Sequence, residues 1–434
     1  MTPQSNFMIV APIEPAREAE LRALLASMND GPGLVKADNA LISFAQFDTL
    51  HFARFVILDD KDTRNDVRAH GEAVRDFPAY LAFLGDIDGD RDDFLAALAQ
   101  RAGTGLQSIF SCCKGFAADA NLVEWMKRRD TRPIAAYVNC RGRTVRRILE
   151  EAELRGALNE HLRANAAAFD GVAPVEVRAR LAQFVDAEKS AGRLRLSPES
   201  PTPLGWKIRN AAHLIGVPLI ALLALPLLII VVPIVLIRIR QLEKSDPELV
   251  WRVDQAYSDG LAHCEDRIIT NQFTAFARRK PGLARLLGLV GVLAIVDYAA
   301  RHIVRPGRLG RIRSIHFARW VLLDGMQRGS FFSNYDGTVE SYMDDFINKA
   351  GFGLNAIFCN AVGYPRTNWL IRDGCKDGEK YRNFLRRHTL PTQVWYKAYP
   401  DLTAVDLERN SRIREGIEST SMTDKQAREW VGLL

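Results

Sequence analysis

Two histidines open near-identical segments of this chain, His51-Phe52-Ala53-Arg54 and His316-Phe317-Ala318-Arg319. Imidazole titrates near neutral pH and serves as metal ligand, general acid or general base, so His51 and His316 are the first candidates for a reactive site. Arg54 and Arg319 follow among apolar neighbours, where an unpaired guanidinium is costly and a carboxylate is expected alongside. Asp88 and Asp336, each followed by glycine, are the expected partners, and Asp-Gly there also suits a turn or a helix cap. His316, His51, Asp336 and Arg319 therefore form the catalytic candidate set, with His316 and Asp88 as candidates for holding a cofactor. A hydrogen-bonded structural histidine at a strand start explains both copies as well as chemistry does.

A second group precedes the later copy: His263, Glu265, Asp266, Asn271 and Gln272. On a helix, Asp259, His263 and Asp266 fall on one face at i, i+4 and i+7, a spacing compatible with metal binding or proton transfer, and equally with a solvated stripe. Tyr335, Trp395, Tyr396 and Tyr399 would line a pocket or pack a sheet core. No Walker loop, Rossmann fingerprint, zinc motif or nucleophile elbow is present, which argues against nucleotide-dependent and serine-hydrolase chemistry.

The elements that must position these residues are duplicated. Thr49 to Asp59 aligns with Ser314 to Asp324, Ile87-Asp88-Gly89 with Tyr335-Asp336-Gly337, and Gly105 to Phe110 with Gly353 to Phe358. Arg128-Arg129-Asp130-Thr131-Arg132-Pro133 answers Arg386-Arg387-His388-Thr389-Leu390-Pro391. Four blocks in one order make a repeat, with a charged surface-loop insertion from Lys61 to Pro78 in the first copy. Hydrophobic periodicity predicts strands at Phe7 to Ile13, Leu50 to Leu58, Tyr80 to Ile87 and Pro133 to Asn139, and helices at Glu14 to Met28, Asp90 to Arg101 and Leu122 to Arg129. The second copy runs from Gln272 to Tyr399, with a helix at Leu283 to Ala300 and a last strand at Gln393 to Tyr399. Strand, helix, strand, strand, helix, strand is the ferredoxin-like order.

Alternation along Leu50 to Leu58 puts His51, Ala53, Phe55 and Ile57 on one face and Phe52, Arg54, Val56 and Leu58 on the other. Both faces are mostly apolar, so a second layer must cover the one that helices leave open. The expected fold class is α+β: two ferredoxin-like domains in one chain pairing sheet to sheet, with a membrane-associated apolar helical hairpin between them. The expected divisions are residues 1–160, a helical connector 161–210, the hairpin 211–240, a helix 241–267, the second repeat 268–420 and a tail 421–434. This arrangement resembles the dimeric α/β-barrel superfamily. Gly85-Asp86-Ile87-Asp88-Gly89 is similar to the GxxDG motif of the dye-decolourising peroxidases, haem enzymes of that superfamily in which the Asp assists peroxide cleavage. The second copy departs from it, with Ser333 in place of the leading glycine, and no motif marks a proximal ligand. The resemblance implies haem, with His316 as the axial candidate.

The apolar share is 47% and the charged share 25%, ordinary for a folded protein, and the net charge of +6 is mild. Nucleic-acid binding is not expected, whereas contact with anionic lipid is. The six cysteines lack metal or disulfide spacing and suit reduced, buried thiols in a cytosolic setting, and the polar start at Met1 to Asn6 has no signal-peptide pattern. Ala211 to Ile237 is apolar apart from His213, long enough to cross a bilayer, and interrupted by Pro218, Pro226 and Pro233. Lys207, Arg209, Arg238 and Arg240 flank it at both ends, so charge gives no orientation. Paired repeats must lie on one side of a membrane, so a hairpin bent at Pro226 is expected rather than a span. Leu286 to Val296 forms a second apolar block, framed by Arg278, Arg279, Lys280, Arg285, Arg301, His302 and Arg305. The functional expectation is a monotopic protein on the cytoplasmic face of a membrane, with an internal pocket for an apolar or lipid-derived substrate and oxidoreductase-type, haem-dependent chemistry. The alternative is a non-enzymatic lipid- or partner-binding scaffold.

Overall fold

The computed structural model describes all residues except Gly33, Val250 and 305–308, together with the side chain of Asp62, so Arg305 lies outside the described residues. Eight strands concern the core: β1 Gln4–Pro12, β2 Leu50–Leu58, β3 Tyr80–Asp88, β4 Ala135–Val138, β5 Thr270–Arg278, β6 Ile315–Leu323, β7 Arg328–Asp336 and β8 Thr392–Lys397. The helices of the first half are α1 Glu18–Ala26, α2 Arg91–Phe110, α3 Leu122–Arg129, α4 Val145–Ala164 and α5 Pro174–Ser190. Two helices, α6 Leu204–Leu223 and α7 Leu225–Ser245, carry the apolar run, and α8 Gln255–Cys264 follows. The second half adds α9 Leu283–His302, α10 Val339–Lys349, α11 Gly351–Phe358, α12 Gly378–His388, α13 Ala404–Glu418 and α14 Asp424–Val431.

The fold is mixed α+β, with two four-stranded antiparallel sheets in the orders β1-β3-β2-β8 and β4-β6-β7-β5. The sheets do not follow the halves of the chain. β8, from the second copy, pairs with β2 of the first, and β4, from the first copy, pairs with β6 of the second. The repeated Arg-Arg-x-Thr-x-Pro block marks the crossing. Thr131 N–H still donates to Met8 O on β1, and Leu390 N–H to Thr274 O on β5. At Pro133 and Pro391 the missing N–H ends that pairing, and each segment passes to the other sheet.

Both sheets are open, bounded by β1 and β8 in one and by β4 and β5 in the other. The expected barrel is therefore absent, and with it the resemblance to the dimeric α/β-barrel superfamily and its peroxidases. The proline-interrupted crossings break the ladder where closure would need it continuous.

Every residue of β2 is buried because each face has its own cover. Ala53, Phe55 and Ile57 pack with Phe94, Leu98 and Leu106 of α2. Val56 and Leu58 share a cluster with Phe276, Val321, Leu323 and Phe332 of the second sheet. Each such burial stabilises by roughly 1.5–3 kcal/mol per large apolar side chain. The predicted alternation fails at one residue: the register between β2 and β3 shifts at His51, and that between β6 and β7 shifts at His316. A bulge in each repeat turns the histidine away from the Ala53 face and toward the aromatic rings that lie between the sheets. The Lys61 to Pro78 segment is also more than a surface loop, since it contains the short helix Arg64–Ala69 with Asp66 and Val67 buried.

In the apolar run, α6 and α7 are separated by Ala224 alone, at φ −80 and ψ −5. The break falls two residues before the expected bend at Pro226. Proline lacks the N–H and its ring clashes with the preceding turn, so the helix stops first and restarts with Pro226 in the opening turn of α7, where that N–H has no helical partner anyway. The middle of α6 and the later part of α7 dock on α9. Tyr298 of α9 donates to Leu214 O, and Ile239 of α7 packs with Leu289 and Leu293 in the second-half core.

Candidate functional site

The two histidines occupy equivalent places. His51 Nε2 lies 3.0 Å from Asp88 Oδ1 and its Nδ1 lies 3.0 Å from the Tyr399 hydroxyl. His316 Nε2 lies 2.7 Å from Asp336 Oδ1, and its Nδ1 has no hydrogen-bond partner among the described residues. The second carboxylate oxygen of each aspartate caps a helix. Asp88 Oδ2 accepts Val145 N–H at the start of α4 (2.8 Å), and Asp336 Oδ2 accepts Ala404 N–H at the start of α13 (2.7 Å). Each pair thus ties a bulged strand to the helix that follows an exchanged strand. The rings interleave across the sheets, His51 with Phe317 at 5.5 Å and Phe52 with His316 at 5.4 Å. Both imidazoles are 0% exposed, so neither faces solvent.

Arg319 and Arg54 do meet polar partners, but not the expected ones. Arg319 pairs with Asp86, and donates to Phe7 O at 2.9 Å and Gly85 O at 3.1 Å. Arg54 donates to Asn334 Oδ1, Phe273 O and Ser333 O. Asp86 and Asn334 are equivalent positions of the repeat, pointing between the sheets where Asp88 and Asp336 point to the helix ends. Burial first, and then the charge of Arg319, pushes the Arg54 guanidinium down to about 9, while Asp86 works in the opposite direction. The space expected to hold a substrate is filled by this ion cluster and by Phe52, Phe317 and Trp395.

The four candidate aromatics do not line one pocket. Trp395 stacks on Phe52 and Tyr399 meets His51, whereas Tyr335 stacks on Tyr342 in the second core and Tyr396 on Phe44 in the first. In the α8 group, the helix ends at Cys264, and Asp266 lies beyond it at φ 56, accepting Val339 N–H. Asp259 accepts from Gln255, and the His263 ring lies against Arg267. Among the described residues no three His, Cys, Asp or Glu side chains are grouped to hold a metal ion. With the barrel absent and His316 enclosed by Asp336, Phe52 and Tyr399, the haem and oxidoreductase expectations lose the geometry they rested on.

The exposed large apolar side chains are concentrated on α6 and α7. Ile215, Leu223, Ile229 and Ile230 are 67%, 74%, 64% and 61% exposed. Among the described residues two helices are long and apolar enough to cross a membrane, α7 with mean hydropathy 2.1 and α9 with 1.8, and the apolar stretch of α7 is 6% buried. A soluble fold does not leave so continuous an apolar surface uncovered. Its base is rooted by carboxylates that carry no motif in the sequence. Glu243, 0% exposed, accepts from Thr367 Oγ1, Trp369 N–H and Leu370 N–H. Asp246 pairs with Lys280 at 2.7 Å and Arg285 at 2.5 Å. The sequence signal available for both was two acids directly after an apolar run. Beside α9, a cleft of about 280 Å³ is lined by Val296, Trp320, Phe331, Phe346 and Phe358.

No family model matches the chain, and neither a curated protein nor a solved structure matches it.

Proposed function

We propose that the protein is a non-enzymatic scaffold that sits on the cytoplasmic face of a membrane and binds lipid or a partner there. The observation that carries this reading is the uncovered apolar surface of α6 and α7, joined at Ala224 and rooted in the fold through Glu243 and Asp246. In this reading α6 and α7 enter and leave one leaflet as a hairpin, α9 lies along the interface, and both sheets stay on one side. The strand exchange supports a one-sided arrangement, because each half supplies the last strand of the other's sheet. Each half then reads as a ferredoxin-like unit whose final strand has been traded. Six free cysteines suit the reducing side of the membrane. The buried histidines, each held by its own aspartate, favour a scaffold over an enzyme.

The test is fractionation of the full-length protein, followed by alkaline carbonate extraction. The protein should remain with membranes, and the combined Ile215→Asp, Leu223→Asp, Ile229→Asp variant should move to the soluble fraction as a folded species. Wild-type protein that is soluble and monodisperse without detergent overturns the proposal.

A further inference from the structure

Where the apolar helices meet the body of the protein, a cavity of about 290 Å³ is lined by Arg141, Arg209 and Arg301, with Trp206, Asn210 and Gln4. Arg209 and Trp206 come from the first turns of α6, Arg301 from the last turn of α9, and Arg141 from the turn after β4. No carboxylate is among the described lining residues. Arg141 is held in place by donating to Arg301 O at 2.6 Å and Ala300 O at 2.7 Å, the free carbonyls at the end of α9. Those bonds use two of the five N–H donors of its guanidinium. Arg301 spends its Nε on Asp297, which stands behind it at 2.9 Å. Three guanidiniums therefore converge on one space with donors to spare. Burial pulls Arg141 below its ordinary value, Tyr137 opposes this, and the charge of Arg301 adds to it, so an anion placed there relieves an existing cost.

Position selects the anion. Arg209 precedes Leu214 by five residues on the same helix, about 7 Å along its axis, so the cavity lies just outside the level where the apolar run becomes unbroken by charged residues. Trp206 stands one turn further out, the level at which indole rings favour a membrane interface. We propose that this cavity binds the phosphate of an anionic phospholipid headgroup, with Arg141 and Arg301 as planar donors and Arg209 closing the outer side. This rests on the membrane-surface reading above, and it adds a defined ligand site where that reading needs only apolar contact. Planar guanidiniums match phosphate oxygens two at a time, which a lysine ammonium cannot do.

The experiment is vesicle flotation of the full-length protein against phosphatidylcholine alone and phosphatidylcholine with a minor fraction of phosphatidylglycerol. Wild type should bind both and prefer the anionic vesicles. The Arg141→Lys/Arg301→Lys variant keeps every charge but loses the planar donors, and its preference should fall about fivefold or more. Because Arg141 also holds the end of α9, Arg209→Lys, at an exposed position, is the variant that leaves the fold alone, and it should lose part of the same preference. Unchanged preference in both lysine variants means bulk charge and overturns the site. Binding of inorganic phosphate without lipid, with the same dependence on Arg141 and Arg301, reassigns the cavity to a soluble anion and overturns the headgroup. If wild type binds both vesicle types equally, this proposal fails alone; if it binds neither, the membrane reading fails with it.

Discussion

Replacing Asp86 with asparagine should be among the most damaging conservative changes available to this protein. Asp86 is 5% exposed and faces Arg319 and Arg54, themselves 3% and 4% exposed, and Asn334 stands in the equivalent place opposite. One carboxylate thus balances two buried guanidiniums, and its loss leaves both uncompensated. Removing one partner of a buried pair costs about 3–5 kcal/mol. For 434 residues, an unfolding entropy of about 2.1 cal/mol/K per residue gives about 0.9 kcal/mol/K, so the expected fall in Tm is about 4 °C. The repeat supplies a rescue: Asp86→Asn with Asn334→Asp moves the carboxylate to the other sheet, where Arg54 already donates, and should recover most of the loss. Near-UV circular dichroism during heating in detergent measures both. A fall in Tm below about 1 °C for the single variant, or no recovery in the double, refutes the view that this cluster carries an unbalanced buried charge.

Three further outcomes follow from the same geometry. Glu243→Gln should loosen the root of α7, costing roughly 1–3 kcal/mol because three donors, two of them buried, depend on that carboxylate, and limited proteolysis should then cut near residues 366–372 faster than in wild type. His388 is pushed down to about 4 by burial, below the ordinary 6.5, so the folded state binds fewer protons between these values. Its contribution to stability is intact above pH 6.5 and falls by roughly 3 kcal/mol as pH drops toward 4, with Asp66, raised by burial, offsetting part of the loss; His388→Gln should flatten the Tm profile over that range. Gly105→Ala would place a Cβ 1.9 Å from the carbonyl oxygen of Leu41, a backbone clash that should lower stability by about 1–3 kcal/mol in a denaturant titration.

Strand Leu50–Leu58 and helix Leu122–Arg129 have the bounds that their apolar patterns predict, since both signals are local and uninterrupted. The histidine bulges were not legible, because an extra residue in a ladder depends on the partner strand and leaves the one-strand alternation unmarked. The partner of Arg319 was missed because it comes from the other copy: the expected carboxylate, Asp336, is taken by His316, whereas Asp86 reaches Arg319 from the facing sheet. Of the arginine cavity, Arg209 and Arg301 were legible as basic flanks of the two apolar blocks, but their convergence with Arg141 was not, as the three come from distant positions of the chain.

Local chemistry in the chain was enough to establish the repeat, the α+β composition, the break near Pro226 and an apolar surface too long to belong to an ordinary core. Pairing partners were decided only in three dimensions. Antiparallel strands of similar apolar pattern are interchangeable by composition, so nothing along the chain says that β4 and β8 should change sheets. The prolines that permit the exchange are visible in the repeat, yet their effect depends on which edge lies within reach once both halves have folded.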